Sequence, residues 1–255
     1  MASAFAHALA ALGGPWVLAP GALVIFAAYT VRGATGFGAG VVAIPLLALM
    51  MPLTVVVPVL TTLGVAASLG QSITEFRHVD WRALRGLALP SAVGLALGLW
   101  LFASLDHEVL LRAFAAFIVA YGLWSLLPKP AEARLPLAVL AAASGTTGGL
   151  VATLLGGMAG PFYVIYLRAL GLDKRRFRAS MSSVLVCLSV VRAGGYGSLG
   201  FYDRRALAAL VVFAPVMALA MVAGERWHAR LDQKKFERVI AGLLIGSGIA
   251  LLFKS

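Results

Sequence analysis

Apolar stretches long enough to cross a bilayer recur from one end of this chain to the other, and they leave it few ways to fold. A spanning helix needs roughly 20 predominantly apolar residues. Trp16–Val31, Leu53–Phe76, Gly86–Ser104, Leu110–Leu127, Leu135–Leu170, Ala179–Tyr202, Ala206–Gly224 and Val239–Phe253 approach or exceed that length. In lipid every backbone N–H and C=O must be satisfied within the protein, so only helices and closed barrels span. A barrel needs short alternating strands, and no such alternation is present. The expected fold is all-α, a polytopic integral membrane protein. Only 12% of the 255 residues are charged, about half the share in a soluble domain. A net charge of +11 would suggest nucleic acid in a soluble protein. Here Lys and Arg sit mostly in short loops, as the positive-inside rule requires. The expected partners are therefore the lipid bilayer and a small solute, with no nucleic acid; a homo-oligomer is left open. Cys187 is the one cysteine, so no internal disulfide can form. Met1 to Gly14 contains no Lys or Arg, unlike the start of a signal peptide, so neither cleavage nor a soluble domain is expected.

Two glycine-rich stretches interrupt this apolar pattern. The first is Gly33-Ala34-Thr35-Gly36-Phe37-Gly38-Ala39-Gly40, directly after Arg32, with an apolar continuation through Pro45 to Met51. The second is Ser144-Gly145-Thr146-Thr147-Gly148-Gly149, followed by Gly156-Gly157-Met158-Ala159-Gly160-Pro161. Glycine inside a helix costs about 1 kcal/mol relative to alanine. Broken backbone at membrane depth is tolerated only where it is buried in protein or lines a cavity. Two readings compete. The spacings Gly36/Gly40, Gly145/Gly149 and Gly156/Gly160 fit close helix packing. The occurrence of one such stretch near the start of each half favours a pair of broken helices at the centre of a transport site.

The halves also match each other. Asp80-Trp81-Arg82-Ala83-Leu84 aligns with Asp203-Arg204-Arg205-Ala206-Leu207, and Leu105-Asp106 with Leu231-Asp232. Thr61-Thr62 falls near Ser182-Ser183, and Pro45 near Pro161. Their common order points to an internal duplication, a usual way of building transporters. The expected organisation is one membrane domain with a first repeat over residues 1–128, a second over 135–255, and a Pro- and charge-containing linker at 129–134. The chain would hold 8 to 10 membrane helices. With four crossings per half, Lys and Arg divide 11 inside to 8 outside; with the glycine breaks splitting the first segment of each half, they divide 16 to 4. The second arrangement obeys the positive-inside rule far better. Its odd number of crossings makes the repeats inverted.

Arg192 is the sharpest single residue. It stands fourteen residues beyond Arg178 and eleven before Asp203, among Val190, Val191 and Ala193, roughly mid-membrane at 1.5 Å per residue. An arginine there is costly and marks a functional site by default. The bland alternative is a structural pair with an acid or with exposed carbonyls. Arg32 is read equally as a site cation or as a positive-inside residue. Guanidinium suits planar, bidentate recognition of oxyanions. A broken helix adds free N–H groups and partial positive charge at the start of its second piece. Gly33, Thr35, Gly36, Gly38, Gly156, Gly157 and Gly160 are the positions at these breaks. Thr61, Thr62, Thr147, Ser182 and Ser183 could add hydroxyl donors, although interhelical bonding is the commoner use of any one of them. All ten acids lie in or near loops, so no proton relay is drawn in mid-span. No motif for a nucleotide, a metal or a covalent catalyst is present, so no cofactor and no enzyme activity are expected. A cationic site without an acidic relay suits anion efflux, because each negative charge leaving a negative interior gains about 2.3 kcal/mol per 100 mV; the alternatives are an importer of a small anion or other solute, or a non-catalytic membrane assembly subunit.

The first glycine element running into Pro45, its second copy at Gly156–Pro161, the Val79-Asp80-Trp81-Arg82 loop and the doubled layout resemble the sulfite exporter TauE/SafE family of bacterial inner-membrane permeases. The resemblance covers the chain from about Trp16 onward. It implies a permease of the cell inner membrane that moves sulfite, sulfonates or related small organosulfur anions, usually outward. Phe37 and Ala39 stand where the family often has further glycines or other small residues.

Overall fold

The computed structural model describes residues 14–35, 38–72, 76–126, 135–156, 159–226 and 233–254. Among these residues are ten α-helices and no strand. They are α1 (Pro15–Thr35), α2 (Ala39–Ala48), α3 (Leu53–Ser72), α4 (Trp81–Ser104), α5 (His107–Leu126), α6 (Leu137–Leu154), α7 (Gly160–Ala169), α8 (Lys174–Ser198), α9 (Arg204–Arg226) and α10 (Gln233–Lys254). Of the described helices, α1, α4, α5, α6, α8 and α9 are long and apolar enough to cross a membrane. The apolar parts of α2, α3 and α10 are shorter. The linker at 129–134 and the matched pair Leu231-Asp232 lie outside the described residues.

Five helices fall in each half, in the same order. They start at Pro15, Ala39, Leu53, Trp81 and His107 in the first half, and at Leu137, Gly160, Lys174, Arg204 and Gln233 in the second, so every start recurs 121 to 126 residues later. The matched aspartates have one local cause. Asp80 Oδ1 accepts from the N–H groups of Arg82 and Ala83, both at 3.0 Å, and Asp203 Oδ1 accepts from Ala206 N–H at 2.8 Å. Each caps the fourth helix of its half, satisfying donors that the first turn cannot satisfy alone.

The helices pack into two compact units, and each unit draws on both halves of the sequence. The first holds α1, α2, α3 as far as Leu63, α5, α9 and α10; the second holds the rest of α3 with α4, α6, α7 and α8. In the first unit α1 lies along α9 and α5 along α10, with α2 against α1 and α10. In the second, α4 lies along α6, α7 packs against α6 and α8, and α8 also meets α4. The fourth helix of each half thus pairs with the first helix of the other half.

Two contacts, one inside each unit, bring helix ends together. Lys254 Nζ donates to the carbonyls of Leu49 at 2.7 Å and Ala48 at 3.2 Å, so α10 and α2 end together. Asp80 N–H donates to Ser180 Oγ at 2.9 Å, so the starts of α4 and α8 meet. With ten helices traversing in alternation, both pairs of ends share a surface. With eight crossings, in which α1–α2 and α6–α7 are each one traverse, both pairs fall on opposite surfaces. Ten residues of helix rise about 15 Å, so α2 and α7 are half-length elements that follow Gly38 and Gly156.

The closest helix pair is α4 with α6. A Cβ on Gly149 would lie 2.5 Å from Ser91 O and 2.9 Å from Leu95 N; one on Gly145 would lie 2.6 Å from Pro90 Cβ. From the other side, a Cβ on Gly98 would meet Thr153 Cβ at 2.7 Å, and one on Gly94 would run into the Thr146 carbonyl. Small residues four apart on both helices let the backbones touch, which is the packing use of this spacing in membranes. Leu87, Leu140, Ala152, Tyr163, Leu167 and Val184 close the core beside this seam.

Candidate functional site

The two glycine stretches differ from the expectation in one respect. Ser144–Gly149 is not a break: it is continuous helix within α6, and its glycines serve the α4 seam. The true interruption of the second half falls later, between Leu154 and Gly160, where Gly156 has φ +68. The first half is interrupted between Thr35 and Ala39, where Gly38 has φ +93. Left-handed backbone costs an L side chain roughly 1–2 kcal/mol, so glycine is selected at both points. Gly36 and Gly157 lie outside the described residues, as does the side chain of Thr35.

In the second unit the interruption is held from α8. Arg192 is 3% exposed, and its guanidinium donates to the Ala152 carbonyl. One turn further on, Tyr196 Oη donates to the Thr153 carbonyl at 2.5 Å, while its ring tilts against Phe102 with centroids 5.2 Å apart. Both acceptors belong to the last turn of α6, where carbonyls have no intrahelical partner and carry the negative end of the helix dipole. A cation and a phenol at positions four apart on α8 therefore cap α6 at the lip of the break. Tyr163 of α7 is fully buried and reaches Ser91 Oγ of α4 at 3.3 Å. The bond to Ala152 is the carbonyl pairing weighed as the bland reading of Arg192. It also fixes a positive charge beside backbone that is not helical. Along α8, Arg192 lies six residues before Ser198, about 9 Å from that end of the helix.

The remaining residues of the second unit do not gather around Arg192. Ser182 and Ser183 sit on the same helix about 14 Å away along its axis. Thr147 is on an exposed face of α6, its hydroxyl donating to Ala143 O at 2.5 Å. Gly160 opens α7, just past the break.

In the first unit Arg32 is in the last turn of α1, one turn after the buried Tyr29. Gly33 beside it is a contact position: a Cβ there would lie 2.6 Å from Met221 O of α9. Thr61 and Thr62 of α3 donate back to Val57 O at 2.8 Å and Pro58 O at 3.1 Å, and Thr62 Oγ1 also lies 2.7 Å from Tyr202 Oη. A hydroxyl has one proton. Where it is spent on the carbonyl four residues back, the group can accept but cannot donate to an anion. Arg192 and the glycine breaks thus keep a chemistry suited to anions, whereas Thr61 and Thr147 donate to their own helices and Thr62 is shared between Pro58 O and Tyr202 Oη. Tyr196, Tyr163 and Ser91 went unnoticed in the sequence; the spacing of Arg192 and Tyr196 by one turn was the available signal.

Comparisons with known proteins agree with this architecture. The family described as "Sulfite exporter TauE/SafE" matches residues 21–251. The chain is 29% identical over 191 residues to the "Probable inner membrane transporter protein TsaS" of Comamonas testosteroni, covering 74% of this chain and 79% of that protein. It is 25% identical over 227 residues to the "Probable sulfite/organosulfonate exporter TauE" of Cupriavidus necator, covering 86% of this chain and 87% of that one. No solved structure matches. With ten helices among its described residues, six of them able to span, and a family match over nearly its whole length, the chain is a multi-pass transporter of the cell inner membrane and belongs to the sulfite exporter TauE/SafE family.

Proposed function

We propose that the protein exports a small oxyanion, sulfite or a simple organosulfonate, from the cytoplasm, with Arg192 as the principal anion-facing cation. The observation that carries this reading is a buried arginine fixed at a helix break. Its planar guanidinium matches a sulfur oxyanion. Gly38 has open space around it, and free N–H groups at the start of a helix can serve an anion. The name of the Cupriavidus relative, a sulfite/organosulfonate exporter, supports the substrate class and the direction.

The two repeats, residues 1–128 and 135–255, are inverted in this reading. The Lys and Arg distribution and the two meetings of helix ends support ten helices of alternating direction, five per repeat. Each break carries one cation, Arg32 at the first and Arg192 at the second. Gly33, Thr35, Gly36, Gly38, Gly156, Gly157 and Gly160 shape the breaks. Ser182 and Ser183 stand on the helix that carries Arg192. Thr61, Thr62 and Thr147 remain as acceptors, which a protonated oxyanion such as bisulfite can engage.

Export of a negative charge needs no coupling ion when the interior is negative. The test is efflux of labelled sulfite and of a simple sulfonate from proteoliposomes under a potential set by potassium and valinomycin. Efflux of either anion that rises with inside-negative potential supports the reading. Flux that ignores the potential removes electrogenic export, and absence of flux for both anions removes the substrate class.

A further inference from the structure

The second unit carries, at one end, a surface that the transport reading does not use. Six exposed arginines lie there: Arg77, Arg82 and Arg85 at the start of α4, and Arg175, Arg176 and Arg178 at the start of α8. About a hundred residues separate the two groups in sequence. Two links bring them together, and a third ties α7 to the same end of α4. Asp80 N–H donates to Ser180 Oγ at 2.9 Å. Tyr166 Oη lies 3.5 Å from Ala83 O. Asp173 is close enough to His78 for their charges to interact. Among the described residues, the acids within these segments are Asp80 and Asp173. The carboxylate of Asp80 accepts from the first N–H groups of α4 and that of Asp173 from those of α8. Asp173 also lies 3.5 Å from Arg176. The surface is therefore strongly positive.

The level of this surface in the membrane follows from α4. Its outer side is Trp81, Leu89, Val93, Leu97 and Trp100, exposed by 53%, 75%, 47%, 44% and 64%. Nineteen residues separate the two tryptophans, about 28 Å along the axis. That spacing matches the roughly 30 Å hydrocarbon core, and tryptophan settles at both edges of it. Trp81 therefore marks one interface, with Arg82 and Arg85 beside it at the depth of lipid phosphates. In the ten-helix order this is the cytoplasmic face, where anionic lipids attract basic segments. All six cations are arginine, whose fork pairs with two phosphate oxygens at once.

We propose that this end of the second unit binds the phosphate headgroups of anionic phospholipids of the cytoplasmic leaflet, holding the α4 and α8 starts at that surface. The inference is independent of which solute is carried.

The experiment measures retention of lipid by the purified full chain in detergent, using phosphatidylglycerol, phosphatidylcholine and free glycerol phosphate as probes. Wild type should retain phosphatidylglycerol and release phosphatidylcholine. At roughly fivefold per cation, Arg175→Gln with Arg176→Gln should lower phosphatidylglycerol retention about 25-fold, and Arg82→Gln with Arg85→Gln should do the same. Arg112→Gln, on the exposed Glu108–Arg112 pair of α5, should leave it unchanged. The two pairs are separate variants, so a folding defect in one leaves the other to decide. Retention that survives either folded pair, or falls equally in Arg112→Gln, overturns the proposal. Displacement of the lipid by an equal concentration of glycerol phosphate overturns it in favour of a soluble-anion site.

Discussion

The two helix breaks share a backbone device and differ in how the preceding helix ends. Both turn at a glycine with positive φ, Gly38 in the first half and Gly156 in the second. At the first, α1 ends with its own cation, Arg32, in the last turn. At the second, the last turn of α6 has no basic residue, and its Ala152 and Thr153 carbonyls are taken by Arg192 and Tyr196 from α8. A helix C-terminus favours a nearby cation in either case. The difference teaches where a buried arginine can come from. The cation at a helix end can come from that helix or from a neighbouring one, and the guanidinium Nε is buried in both Arg32 and Arg192.

The comparison can be broken most severely at the seam that positions α6. Gly149→Val pushes a branched side chain into the Ser91 carbonyl, and it should destabilise by about 1–3 kcal/mol or more. A lowered Tm and loss of the monodisperse peak in detergent are expected. Gly194→Ala on α8, whose Cβ would meet nothing within 4 Å, should be neutral or slightly stabilising. Equal losses in both would mean that the seam is not where α6 is held.

Tyr196→Phe removes the hydroxyl from the Thr153 carbonyl and keeps the ring on Phe102. It should lower stability by about 1–2 kcal/mol and raise hydrogen exchange around residues 153–156, with no change near Gly38. A uniform rise would show that Tyr196 acts on the fold rather than on the break. Gly38→Ala and Gly156→Ala should each cost about 1–2 kcal/mol. Near-equal costs sharpen the shared backbone device, and a neutral result at either glycine removes it there. The smallest effect is expected for Lys254→Met, which releases the Ala48 and Leu49 carbonyls at the end of α2. About 0.5–1 kcal/mol is expected, read as a Tm shift.

Much of this architecture was legible in the sequence. A run of apolar helices, 8 to 10 by the sequence, and the offset between the halves marked by Asp80 and Asp203 follow from hydropathy and from the matched residues. Lys and Arg placement favoured splitting the first segment of each half at its glycines, and each half does hold five helices. Family membership was readable from the glycine elements. What was not legible depends on partners distant in sequence. Gly145 and Gly149 have the same spacing whether they break a helix or admit a neighbour, and only the approach of Ser91 and Leu95 decides. The carbonyl that receives Arg192 lies 40 residues earlier in the chain. Thr61, Thr62 and Thr147 looked like donors because a sequence does not show where a hydroxyl proton goes.

The central claim is that Arg192 serves the transported anion as well as the end of α6. The most direct measurement is sulfite efflux from proteoliposomes under inside-negative potential, normalised to folded protein, for wild type, Arg192→Gln and Tyr196→Phe. The account predicts at least a tenfold loss of efflux for Arg192→Gln, with Tyr196→Phe, which loosens the same helix end without removing charge, retaining most of it. Equal efflux in wild type and folded Arg192→Gln, or equal losses in both variants, would reduce Arg192 to a structural cap and contradict the account.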